Sequence, residues 1–121
     1  MARQPYLVTR CDGAPFAFAG LWDRWIDRCD DTESPIDTFT IVTTVANELL
    51  RPLLPRMPVI FAGAALDTWL DPASEPARVS AALAGVPAAA LRYVPVAKRV
   101  NSARLDEPDL TAPTGPETAG A

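Results

Sequence analysis

Thr38-Phe39-Thr40-Ile41-Val42-Thr43 is the stretch on which the reading of this chain turns. Its β-branched side chains are stiff at χ1 and suit a pleated surface. Threonine alternates with Phe39 and Ile41, the two-residue period of a strand. Upstream, Gln4–Thr9 reads as another strand around Tyr6, Leu7 and Val8. Asp12-Gly13 then signals a hairpin into a strand over Phe16–Trp22. Gly20 inside that strand suggests a bulge or a close backbone approach. Asp27–Asp37 is a polar surface loop. Downstream, Thr44 is placed to cap a helix over Val45–Leu50, which Pro52 ends. Met57–Phe61 gives a short strand and Ala64–Leu70 a short helix closed by Asp71-Pro72. Pro76–Leu83 gives a second helix with Val79 and Leu83 on one face and Gly85 as its stop. Leu91–Val96 is extended and leads to Lys98-Arg99. The expected class is α+β, with antiparallel strands and short helices. One domain is expected over residues 1–108, followed by a disordered acidic tail over 109–121.

Composition narrows the chemistry. The chain has 121 residues, enough for one small domain, and is 49% hydrophobic, enough for a core. No apolar run is long enough to span a membrane, and no signal-peptide pattern follows Met1, so a cytoplasmic location is expected. Cys11 and Cys29 are the two cysteines, and there is no histidine. Four-ligand zinc patterns and Ser-His-Asp or Cys-His mechanisms are therefore excluded within this chain. The cysteines read as reduced thiols, and no metal or cofactor is expected. The net charge of −4 is concentrated at one end: Leu105–Ala121 holds four acids and no base. The remaining body carries 11 acids and 11 bases, with Lys98, Arg99 and Arg104 its densest basic group.

Three further segments carry more specific information: Gly20-Leu21-Trp22-Asp23, Thr43-Thr44-Val45-Ala46-Asn47-Glu48 and Arg56-Met57-Pro58-Val59-Ile60. Their order and separation resemble the SRAP (SOS response-associated peptidase) family of abasic-site-processing proteins. Gln4-Pro5-Tyr6, Pro15–Ala19, Leu49–Pro52 and Val94–Asn101 extend the resemblance over roughly Gln4 to Leu110, as the C-terminal half of that family. The resemblance implies part of a barrel-like fold, single-stranded DNA binding and capture of abasic sites. In the family a cysteine at the second position closes a thiazolidine on the sugar aldehyde. An asparagine, a glutamate and a histidine assist, the glutamate and histidine by handling protons.

The same resemblance marks departures. Ala2 sits where the cysteine would only because, on this resemblance, the chain starts late; the half that carries the cysteine and the asparagine is not represented. Asp23 stands at the glutamate position, shorter by one methylene, and Leu54 stands at the histidine position. Asp23 is the remaining catalytic candidate; a turn carboxylate paired with Arg24 is the plainer reading. The DNA-binding candidates are Trp22 for stacking, Thr43 and Thr44 near the backbone, Arg56 on a phosphate, and Lys98 and Arg99 at a basic strand end. Strand end and helix cap are the plainer roles for Thr43 and Thr44, a solvated strand end for Lys98-Arg99, core for Trp22, and a surface arginine satisfying loop carbonyls for Arg56. Trp25 is read as core and Trp69 as a helix face on the sheet.

Three functions are expected on these grounds. One is a truncated SRAP protein that binds single-stranded DNA bearing abasic sites without covalent chemistry or peptidase self-processing. Another is half of a split enzyme that needs an N-terminal partner. The last is a non-catalytic, homodimerising interaction module.

Overall fold

The computed structural model describes residues 3–29 and 34–121, so Ala2 and the middle of the Asp27–Asp37 loop lie outside it. The strands are β1 (Tyr6–Arg10), β2 (Ala17–Phe18), β3 (Gly20–Trp25), β4 (Ile36–Ile41), β5 (Thr43–Val45), β6 (Arg56–Pro58), β7 (Ile60–Phe61), β8 (Leu91–Pro95) and β9 (Thr118–Ala119). Two helices, α1 (Ala64–Leu70) and α2 (Pro76–Ala82), separate β7 from β8. Every strand pairing is antiparallel, and no closed barrel forms among the described residues. The class is α+β, as the sequence indicated.

The chain divides into two units. The first comprises 1–15, 46–55 and 86–121; the second comprises 16–45 and 56–85.

The second unit is organised around three residues, Ala19, Val42 and Val59. Each interrupts one long strand where that strand exchanges one partner for another. β2–β3 passes from β7 to β4, β4–β5 from β3 to β6, and β6–β7 from β5 to β2. At the exchange point the backbone closes a triangle. Ala19 N–H donates to Val59 O (2.9 Å), Val59 N–H to Val42 O (3.0 Å), and Val42 N–H to Ala19 O (2.9 Å). No amide is left unpaired where the ladders change over, which is what lets the node be buried. Ala19 and Phe61 are fully covered and Val59 nearly so. Leu66 and Trp69 of α1, with Ala82 and Leu83 at the end of α2, pack against them. Trp69 has the role read from sequence: its ring lies 5.2 Å from Phe61, and Nε1 donates to Gly20 O at 3.1 Å. Gly20 itself has only an ordinary contact at its Cβ position, so neither a bulge nor a tight approach explains it.

In the first unit β8 pairs with β1 along five residues, from Tyr6↔Pro95 to Arg10↔Leu91. The turn at Asp12-Gly13 exists: Gly13 has φ +73° and its N–H donates to Arg10 O. The expected β1–β2 hairpin does not form: β1 pairs with β8, and β2 pairs with β7 in the second unit. The expected helix over Val45–Leu50 is also replaced. Thr43–Val45 pairs with β6, and Asn47 rather than Thr44 caps the turn over 47–51. The Asn47 side-chain oxygen accepts from Leu50 N–H at 3.0 Å, and Arg51 N–H donates to Asn47 O at 2.9 Å. Leu49 and Leu50 are buried by this turn, with Leu91 and Val96.

Two more expectations change in this unit. Lys98 and Arg99 begin a 3-10 turn (Lys98–Asn101) rather than ending a strand. Residues 109–121, read from composition as disordered, are placed along β8. Thr118 and Ala119 pair with Tyr93 and Arg92, Val96 bridges to Pro113, and Thr114 N–H donates to Pro95 O at 2.8 Å. Backbone pairing to a free strand edge supplies order that an apolar-poor composition does not announce.

Candidate nucleic-acid interface

Arg56 opens β6 directly opposite Val45 of β5. On a pleated pair the residue two positions along from Val45, Thr43, shares its face. Arg56 reaches diagonally to it: Nε donates to Thr43 Oγ1 (3.2 Å), and Nη2 donates to Thr43 O (2.9 Å) and Oγ1 (3.1 Å). The guanidinium is thus oriented by neutral oxygens. No carboxylate pairs with it among the described residues, so its charge is uncompensated, and Nη1 keeps its two N–H groups. A fixed, uncompensated guanidinium is suited to a phosphate oxygen. Thr44 is on the opposite face with its register partner, the buried Met57. The structure therefore brings Arg56 and Thr43 together and separates Thr44 from them.

Trp22 and Asp23 are on β3, which pairs with β4 as a two-stranded ribbon. Trp22 faces Phe39 across the ribbon, and the two rings are 70% and 79% exposed. Phe39 was legible only as a strand residue, since alternation marks a face without saying whether anything covers it. Trp25, expected in the core, is 52% exposed and faces Ile36 on the ribbon's other side. The reason is topological: the buried node ends at Ala19 and Val42, and the ribbon extends past it.

Asp23 pairs in register with Thr38, whose hydroxyl donates to Asp23 O. Its carboxylate accepts the N–H of Arg24 at 2.8 Å, and among the described residues no proton-shuttling side chain joins it. The Arg24 side chain instead makes a two-point pair with Asp37, at 2.6 and 2.9 Å. The guanidinium holds the Asp37 carboxyl below its ordinary value. Leu54 is partly exposed in the first unit, in a shallow cleft with Gln4, Tyr6 and Val8.

Lys98 and Arg99 are also in the first unit, and both are exposed. Arg99 is compensated twice, by Asp109 at 3.1 Å and by a short contact with Glu107. The Asp109 hydrogen bond is the leading cause that keeps its guanidinium more firmly protonated than usual, with Glu107 adding to it. The two thiols, Cys11 and Cys29, are exposed and unbridged. Among the described residues no His, Cys, Asp or Glu cluster is arranged to hold a metal ion.

The chain is thus an antiparallel α+β protein with an exposed arginine held by Thr43 and a two-stranded ribbon of exposed aromatics. The family model for "SOS response associated peptidase (SRAP)" matches residues 1–103, and the chain belongs to that family. It is 34% identical over 96 residues to the Abasic site processing protein YoqW of Bacillus subtilis, covering 78% of this chain and 42% of that protein. It is 36% identical over 96 residues to the Abasic site processing protein HMCES of Gallus gallus, covering 78% of this chain and 28% of that one. A crystal structure of a protein from Bacteroides thetaiotaomicron has the same fold, with a TM-score of 0.77 at 25% identity over 92% of this chain and 48% of that one. The chain thus spans less than half the length of these relatives.

Proposed function

We propose that this chain is a single-stranded DNA-binding member of the SRAP family, directed to abasic-site DNA, and that it acts without the family's covalent chemistry. One observation carries the binding half of the reading: Arg56 is oriented by three hydrogen bonds to Thr43 and has no carboxylate partner among the described residues. Trp22 and Phe39 supply the stacking surface that single-strand binding uses. The loss of chemistry rests on the residues that stand at two family positions: Asp23 for the glutamate and Leu54 for the histidine. Leucine cannot exchange a proton, and Asp23 has no proton-transfer partner beside it among the described residues.

Binding of a fluorescein-labelled single-stranded oligonucleotide, measured by anisotropy across a salt series, tests the reading. Arg56→Ala is expected to weaken binding and to reduce the slope of log K against log salt by about 0.7, the share of one phosphate contact on a single strand. An unchanged slope would place the interface elsewhere. On a denaturing gel, the chain mixed with abasic-site DNA is expected to give no heat-stable crosslink. A crosslinked band would overturn the pseudoenzyme half of the reading.

The ribbon supports a second reading, in which this chain works as part of a larger assembly. Every residue of β3 and β4 is exposed, including Leu21, Trp22, Trp25, Ile36, Phe39 and Ile41. A two-stranded ribbon apolar on both faces is marginal alone and is expected to find a cover. That cover is either a second copy or a polypeptide that supplies the rest of the family domain. Light scattering on the purified chain separates these: a dimer favours the former, and an aggregation-prone monomer favours the latter.

A further inference from the structure

The stretch beyond the family match is the acidic one. Residues 104–121 lie past the end of the matched segment, and 105–121 holds Asp106, Glu107, Asp109 and Glu117 with no base. Three of these four acids are spent on arginines of the first unit. Glu107 and Asp109 grip Arg99, and Glu117 takes Arg92 Nη1 at 2.8 Å. The segment is also fitted to the surface it covers. Beyond the β8–β9 pairing, Gly120 N–H donates to Leu91 O at 3.0 Å. A Cβ at Gly120 would be 1.8 Å from Ala88 O, so this glycine permits a backbone approach that no larger residue allows, and one at Gly115 would be 2.8 Å from Pro95 Cγ.

These contacts are closely fitted yet individually weak. All three ion pairs are solvent-exposed, with side-chain exposures from 36% to 61%, and such pairs exchange readily with other anions and with salt. Arg92 is also preset for an anion: its Nε donates to Thr9 Oγ1 at 3.1 Å, which fixes the guanidinium while Nη1 faces the Glu117 carboxylate. A carboxylate on an arginine fork occupies the place that a phosphate oxygen would take.

We propose that segment 105–121 is a built-in competitor, whose carboxylates mask two phosphodiester-binding arginines, Arg92 and Arg99, the latter with Lys98 next to it in sequence. Single-stranded nucleic acid binds these arginines when it displaces the segment. The inference rests on the nucleic-acid reading of the function and adds Arg92 and a means of regulation to it.

The test compares full-length variants. Glu107→Gln/Asp109→Asn/Glu117→Gln removes the competing charges. Gly120→Ala keeps every charge and lifts the segment's end through the clash with Ala88. A third variant, Glu48→Gln/Asp67→Asn/Glu75→Gln, neutralises three acids elsewhere and controls for overall charge. Circular dichroism verifies that each is folded. With a labelled single-stranded oligonucleotide, the tail-neutralised variant is expected to bind more tightly than the charge control. Its salt slope should steepen by about 1.4, two freed arginines at about 0.7 each. Gly120→Ala should also bind more tightly than wild type. Equal affinity and slope in the tail and control variants would overturn the masking. If no variant binds DNA, the nucleic-acid reading fails, and inorganic tripolyphosphate decides the masking separately. Tighter tripolyphosphate binding by the two tail variants than by wild type and control upholds it; equal binding overturns it.

Discussion

Replacing Phe61 and Phe39 separately by alanine asks one question of two chemically identical side chains in very different surroundings. Phe61 is fully buried in the node with Ala19 and Val59, and its ring lies 5.2 Å from Trp69. Phe39 is 79% exposed on the ribbon. Phe61→Ala removes a fully covered ring and leaves a cavity that the triangular backbone node cannot collapse to fill, which costs about 3–5 kcal/mol. With an unfolding entropy of about 2.1 cal/mol/K per residue over 121 residues, that lowers the melting temperature by about 12–20 °C. Phe39→Ala loses a cross-strand contact with Trp22 and little burial, so about 0.2–1 kcal/mol is expected, a shift of roughly 1–4 °C. Urea and thermal unfolding monitored by far-ultraviolet circular dichroism read both. Comparable losses in the two variants would refute the reasoning. They would mean that Phe39 is covered in solution, and that the ribbon is an interface already occupied.

Other outcomes rest on the same geometry. The folded state lowers the Asp37 pKa, chiefly through its hydrogen bond with Arg24, so the pair's contribution is present above the ordinary aspartate value of 3.8 and is lost as pH falls through the lowered one. A carboxyl NMR titration should show this depressed midpoint, and Arg24→Gln should return it toward the ordinary value. Gly85→Ala puts a Cβ at φ +69° and 3.2 Å from Ile60 O, and should cost about 1–2 kcal/mol in urea unfolding. Trp69→Phe keeps a ring against Phe61 but leaves Gly20 O without the indole N–H, and should cost about 0.5–1.5 kcal/mol, seen as a lower urea midpoint.

Local signals carried well wherever they were self-contained. α1 ends where Asp71-Pro72 closes it and α2 ends before Gly85, because Pro72 and Gly85 act through their own backbone angles, whereas the expected Met57–Phe61 strand divides at Val59 into β6 and β7. The candidate site was partly legible. Arg56 and Thr43 were both named from the family motifs, yet their mutual hydrogen bonds depend on the Val45↔Arg56 register, which no single segment encodes. Thr44 shows the limit of such reading: it has the chemistry of a cap, but the ladder with Met57 satisfies its backbone first. Arg92 had no motif to announce it and gains its place only from Thr9 on one side and Glu117 on the other.

By itself the sequence determined the α+β class, the family, the turn at Asp12-Gly13 and the acid-rich end, because each depends on residue type or on order along the chain. Tertiary structure alone decided which strands pair and which apolar residues are covered. β1 bypasses its neighbour for β8, the Ala19–Val42–Val59 triangle divides three strands among three partners, and Trp22, Trp25 and Phe39 extend beyond the core they were equipped to join. Pairing and burial depend on contacts between residues far apart in sequence, and alternation in a single strand gives a face its character without supplying the surface that covers it.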